Sequence, residues 1–277
     1  MKWKRSERLV DMTHYLLEHP QKLIPLTFFS ELYQSAKSSI SEDLTIVKDT
    51  FEERGIGVLV TVPGAAGGVK YIPKVSEKVV KEVIDELISE LGHSDRLLPG
   101  GYLFMTDLLG NPELMNRVGK VFASAFCSQE IDVIMTVATK GISIAHAIAR
   151  HLNVPVVVVR RDNKVTEGST VSINYVSGSS RRIETMVLSK RSMKSGQRVL
   201  VTDDFMKVGG TMNGMKNLIE EFDCTLAGMA VLVEAAHTDE RLVDNYYSLV
   251  KLKEVNEKDR TIKLEEGNYF SKGGYDR

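Results

Sequence analysis

The 277-residue sequence predicts an α/β protein of two domains: a small unit of helices and a hairpin, then a larger unit on a parallel sheet. Three observations predict it. Residues 5–54 hold three segments of helical periodicity, and two β-rich runs flank the turn at 63–68 (Pro-Gly-Ala-Ala-Gly-Gly). From residue 112 onward helical stripes alternate with near-continuous apolar strands, as in a parallel sheet covered on both faces. One strand, at 199–201, leads through Asp203 and Asp204 into Gly209, Gly210 and a helix start at Thr211.

In chain order, the first helix spans 5–18, with Leu9, Met12 and Leu16 at helical spacing and Pro20 stopping the pattern. A short second helix at 27–33 opens at Thr27, after Pro25. The third runs over 39–54. Ile40, Leu44, Val47 and Phe51 share one face, Ser39 and Glu42 have capping-box spacing, and Gly55 ends it. A strand at 56–62, the turn and a returning strand at 69–72 complete the layout of a winged helix over 1–74. In that layout the third helix enters the major groove of DNA and the hairpin touches the backbone or minor groove. The candidate DNA contacts are Lys37, Ser38, Ser39, Ser41, Thr45 and Lys48 on the third helix, Lys2, Lys4 and Arg5 at the chain start, and Lys70 near the hairpin tip. Cations and small hydroxyls suit phosphates and base edges. Glu42, Asp43, Asp49, Glu52 and Glu53 put acid along the same helix, and residues 1–75 hold ten Lys/Arg against nine Asp/Glu. Layout alone therefore leaves a module for dimerisation or protein contact as an equal reading.

Residues 77–91 form an amphipathic helix whose stripe is Val80, Ile84, Leu87 and Leu91, expected to pack on the first domain or a partner subunit. Residues 97–101 (Leu-Leu-Pro-Gly-Gly) read as a domain boundary. The second domain is thus 75–277, with 75–100 as connecting helix and linker. In it, a helix at 113–126 precedes a strand at 131–137, a tight turn, a helix to 152 and a strand at 154–159. Residues 160–193 form a two-stranded excursion with a basic turn, either a flap over a ligand or a subunit contact. A strand at 226–233 and hairpin strands within 246–270 close the chain.

Composition excludes several classes. The formal net charge is -1, so any nucleic-acid surface is local. Neither of the two cysteines belongs to a CxxC, and the six histidines show no ligand spacing, so no metal site is assigned. No apolar run reaches membrane-spanning length and no signal core follows the charged start. The expected setting is the reducing cytoplasm, with no membrane partner.

The 198–214 stretch carries the chemistry. An apolar strand feeding a glycine turn and a helix N-terminus converges free N–H groups on one point, a site for phosphate. Two adjacent carboxylates repel phosphate and suit sugar hydroxyls or a metal ion instead. A buried strand with a capped helix behind it is the plain alternative.

At 199–211 the sequence resembles the phosphoribosyl-pyrophosphate motif of type I phosphoribosyltransferases: apolar run, two acids, a variable stretch, then Thr-Gly-Gly-Thr. Residues 138–141 (Ala-Thr-Lys-Gly) look like that fold's pyrophosphate loop. The whole chain resembles the purine operon repressors of Gram-positive bacteria, which join a winged helix to such a domain, through the Asp-Asp-Phe-Met-Lys-Val-Gly-Gly-Thr form of the motif and the Tyr-Val-Ser-Gly-Ser-Ser insert. The resemblance implies an α/β fold with an N-terminal winged-helix domain followed by a type I phosphoribosyltransferase-like parallel-sheet domain. It implies a homodimeric repressor of purine genes that binds double-stranded operator DNA. Phosphoribosyl pyrophosphate would be the inducer, with or without Mg²⁺, and guanosine tetra- or pentaphosphate a competitor at the same site. By resemblance Asp203 and Asp204 bind ribose hydroxyls, and Lys207, Val208, Gly209, Gly210 and Thr211 wrap the 5′-phosphate. In the loop that Ala138 opens, Thr139, Lys140 and Gly141 meet pyrophosphate. Phe205, Met206 and Tyr102 complete the expected site; Phe205 and Tyr102 are candidates to stack on a base, and a core role is equally open for Phe205. The enzyme motif usually has Thr where Val208 stands, which points to a site kept for binding, and no catalytic residue is assigned. The rival is a working purine phosphoribosyltransferase with an N-terminal dimerisation domain.

Overall fold

The computed structural model describes residues 3–64, 66–162, 167–177, 182–236 and 241–274. Its first domain is built on α1 (Arg5–Glu18), α2 (Leu26–Leu32) and α3 (Lys37–Glu53). Their inward faces bury Met12, Leu16, Phe29, Ile40, Val47 and Phe51 in one cluster. Helix α3 starts earlier than the capping-box spacing suggests. Ile40 is wholly buried and needs a complete turn before it; its amide bonds to the Ala36 carbonyl at 3.1 Å. Ala36 is the N-cap, so Ser39 lies within the helix. Strands β2 (Val58–Val62) and β3 (Gly68–Ile72) form the antiparallel wing. A third strand, β1 (Ile24–Pro25), pairs with β3, with Ile24 opposite Val69. Two residues are too few for a period-two signal, which is why the sequence does not announce it.

Helix α4 (Glu77–Leu91) has the expected bounds but not the expected partner. Its buried stripe joins the core of the second domain, where it packs on the last two strands and on helix α6 (Pro112–Phe126). The stripe finds there a sheet face still bare of helix. Burying five such side chains contributes on the order of 1.5–3 kcal/mol each.

The second sheet has six strands. They are β6 (Val133–Val137), β7 (Val156–Val159), β10 (Arg198–Met206), β11 (Thr225–Ala235), β12 (Tyr247–Asn256) and β13 (Thr261–Glu266). The spatial order is β13-β12-β11-β10-β6-β7, parallel except for the β12–β13 pair. One face carries α4, α6 and α7 (Gly141–Leu152), with short α5 (Thr106–Gly110) beside them. The other carries α8 (Gly210–Glu221) and the antiparallel hairpin of β8 (Thr170–Val176) and β9 (Ile183–Ser189). The basic tip of that hairpin, 178–181, lies outside the described residues. Residues 97–101, read as a boundary, belong to a tight hairpin of β4 (Leu97–Leu98) and β5 (Tyr102–Leu103).

The first domain sits on α6 and α7. Lys120 Nζ donates to the Gly55 carbonyl at 3.3 Å, Gln21 Nε2 to the Cys127 carbonyl at 3.4 Å, and Arg150 pairs with Glu18 at 4.0 Å. Burial lowers the Lys120 pKa. Both cysteines are free thiols, and burial pushes that of Cys127 up. No helix among the described residues is long and apolar enough to cross a membrane.

Candidate functional site

Parallel strands leave their C-terminal ends on one edge of the sheet, and ligands collect there. Here the ends of β6 and β10 open onto a cavity of about 710 Å³. Strand β10 continues to Met206, so both acids stand inside the strand and not after it. Asp203 is 7% exposed; its Oδ1 accepts the Asp204 amide at 2.9 Å. Burial, and then the Asp204 charge, hold the Asp203 carboxyl well above its ordinary pKa range, with Arg161 opposing.

Residues 207–209 then turn into α8. Gly209 has φ +93°, a conformation open to glycine, and a Cβ there would come within 2.8 Å of Val243. The helix starts at Gly210, one residue before the expected Thr211. Its first amides have no partner within the helix, and Gly210, Thr211 and Met212 line the cavity. Ala138, Thr139 and Lys140, on the turn after β6, line the same cavity. Lys140 caps α7, Thr139 and Lys140 are exposed, and the Ala138–Thr139 peptide is cis. Gly141 is buried beneath this loop, where a Cβ would come within 2.2 Å of Thr136 Oγ1.

Tyr102, 61% exposed, stands on the β4–β5 hairpin at the cavity wall. Phe205 lines the cavity while packing, partly buried, against the helical core. The structure thus brings the expected residues of 102, 138–140 and 203–211 to one cavity, with Gly141 directly behind it. Sequence reasoning missed Arg161 and the Leu98, Pro99, Gly100 wall. Arg161 pairs with Glu184 at 3.3 Å. A basic pair right after a parallel strand was the available signal, and it was assigned to the excursion instead. Among the described residues no group of three or more His, Cys, Asp or Glu is arranged to hold a metal ion.

On the first domain, Lys37, Ser38, Ser41, Thr45 and Lys48 share the exposed face of α3, with Ser39 partly buried. Thr45 Oγ1 donates to the Ser41 carbonyl at 3.0 Å, and Lys48 lies 3.9 Å from Glu52. Lys4 caps α1 and is exposed beside Arg5, while Lys2 lies outside the described residues. Asp43 is not surface acid: at 1% exposure it accepts Arg5 Nε and Arg8 Nε at 2.9 Å each. This removes one negative charge from the α3 surface and commits part of Arg5 to structure. Lys70 sits within β3 opposite Val60, two residues on from the start of the strand, and is half-buried.

Residues 4–73 match the family described as bacterial purine repressor, N-terminal, and residues 105–263 match the phosphoribosyl transferase domain. The purine biosynthesis transcriptional repressor PurR of Bacillus subtilis is 64% identical over 270 residues, covering 98% of this chain and 95% of that protein. The purine biosynthesis transcriptional activator PurR of Lactococcus lactis is 47% identical over 268 residues, 97% of this chain and 99% of that one. A xanthine phosphoribosyltransferase of Lachnoclostridium phytofermentans is 27% identical over 54% of this chain and 79% of its own length. Among solved structures, adenine phosphoribosyltransferase from Thermoanaerobacter pseudethanolicus superposes with a TM-score of 0.53 at 23% identity, covering 60% of this chain and 98% of that one, which shows the fold.

Proposed function

The chain belongs to the bacterial purine repressor family, and we propose that it regulates purine-biosynthesis genes by binding operator DNA and releasing it when phosphoribosyl pyrophosphate fills the second domain. It is a transcriptional regulator and not an enzyme: the relatives that span the whole chain are named regulators, while the xanthine phosphoribosyltransferase covers little more than half of it. One observation carries the ligand. Two anion loops, 138–141 and 207–211, flank an acid pair at a single cavity. That spacing of features suits a pyrophosphate, a ribose diol and a 5′-phosphate on one molecule. Guanosine tetra- or pentaphosphate offers the same charged groups and would compete for the same loops. The hard oxygens of Asp203 and Asp204 fit Mg²⁺ accompanying the ligand, which would neutralise phosphate charge there.

The DNA surface is the exposed face of α3 with Lys4 and Arg5 beside it. Lys70, half-buried within β3, contributes less than the exposed residues of α3. The family resemblance adds a homodimer to this reading: two copies would present two such helices to a two-fold operator. Relief of repression requires the ligand to bind the DNA-free form more tightly than the DNA-bound form. Added phosphate charge would also lower the local potential that draws DNA, an effect that salt weakens.

The test is paired. Binding to purine-operon DNA is measured by fluorescence anisotropy with and without phosphoribosyl pyrophosphate, and nucleotide formation is assayed with each purine base. Specific binding relieved by the ligand, with no turnover, is expected. Robust turnover without specific DNA binding would sink the reading.

A further inference from the structure

Residues 207–209 are backed, position by position, by 241–243. Arg241 Nη1 donates to the Lys207 carbonyl at 3.3 Å, and the Leu242 amide donates to the Val208 carbonyl at 3.0 Å. Val243 is buried against Gly209. Arg241 is itself fixed. Its Nη2 donates to the Glu234 carboxylate at 2.7 Å and to the Ala235 carbonyl at 2.5 Å, and its guanidinium lies 5.6 Å from the Tyr246 ring centre. Glu234 is 4% exposed at the end of β11, and it also accepts the Tyr246 hydroxyl at 2.7 Å and Ser248 Oγ at 2.6 Å. A carboxylate so buried and so fully paired holds its arginine in one geometry.

The peptide plane turns this into a statement about the cavity. In a trans peptide the carbonyl of one residue and the amide of the next point in opposite directions. Pinning the Lys207 and Val208 carbonyls toward 241–242 therefore aims the amides of Val208 and Gly209 the other way, on a loop whose residues line the cavity. We propose that Arg241, anchored by Glu234, is a positioning residue for this anion loop: it orders the amides before a phosphate arrives. The inference rests on reading the loop as the 5′-phosphate site. A loop already ordered loses less conformational entropy on binding, so the clamp appears as affinity for the group bound there.

The test separates the two loops. The full-length chain, Arg241→Ala and Arg241→Lys are each titrated by calorimetry with ribose 5-phosphate and with inorganic pyrophosphate. Arg241→Ala is expected to weaken ribose 5-phosphate roughly tenfold, as for loss of a charge-assisted bond. Pyrophosphate, which depends on 139–141, should bind as before, and Arg241→Lys should recover part of the loss. Equal weakening of both probes, or of neither, overturns the inference. If Arg241→Ala does not fold, Arg241→Lys carries the same comparison: a loss confined to ribose 5-phosphate supports the clamp and a parallel loss overturns it. Failure of the unaltered chain to bind ribose 5-phosphate overturns the ligand reading, and the inference with it. Binding by the unaltered chain without a selective loss in the variants overturns the inference alone.

Discussion

Asp203 shows how far one side chain can be pulled from its ordinary behaviour. Burial raises its carboxyl pKa, so the folded chain keeps this proton to a higher pH than the unfolded chain does. Stability carried by the protonated form is present at low pH and drains as pH rises from the ordinary carboxyl range through the raised value. Asp203→Asn keeps the shape and cannot ionise. It should therefore melt higher than the unaltered chain at about pH 8 and show no gain at about pH 4. The same substitution should abolish the response to phosphoribosyl pyrophosphate while DNA affinity persists, a site held at some cost in stability. Equal melting at the higher pH would mean that the carboxylate is well compensated. The acid pair itself was plain in the sequence. Asp43 was not, because the arginines that bury it lie 38 and 35 residues earlier, and charge on a helix reads as surface until its partner is seen.

Among the elements, α7 joins the cavity to the domain junction, with Gly141 at its start and His151 in its last turn. Two oxygens of Asn116 lie 3.1 Å from His151 Nε2, so that nitrogen carries the hydrogen. Burial lowers the ring's pKa from 6.5 to about 4. The stability it contributes is complete above the unfolded value and is lost as pH falls toward the folded one, because the unfolded chain takes up the proton first. Melting temperature should fall between about pH 7 and pH 5, and His151→Gln should flatten that slope; an unchanged slope would assign it to other groups. Helices such as α1, α4 and α6 were legible because each carries a long apolar stripe. The partner of α4 was not, since periodicity says which face is buried and nothing of what covers it. The short β1, β4, β5 and α5 escaped for lack of length.

At the scale of the whole molecule, the winged helix and the second domain meet through few polar contacts. Lys120 on α6 donates to Gly55, which follows the C-cap of α3, and α6 lies along α7, whose first residue backs the cavity. Lys120→Met is expected to leave ligand affinity within about twofold and to shrink the ratio of DNA affinities measured without and with ligand. Paired calorimetry and anisotropy check this; an unchanged ratio would route the coupling through other contacts. Which surfaces of the two domains touch was illegible in the sequence, because neither Lys120 nor Gly55 belongs to a motif.

The docking of α4 on the second sheet decides where this chain can be cut and rejoined. The stripe of Val80, Val83, Ile84, Leu87 and Leu91 closes the core of the second domain, and Val75 belongs to the same cluster. A chimera that exchanges the winged helix before Lys74 inherits a second domain with a closed core. One joined at the Gly100, Gly101 turn strips that cover away and splits the hairpin that walls the cavity. Domain shuffling in this architecture therefore has a narrow seam, and it runs just after the wing.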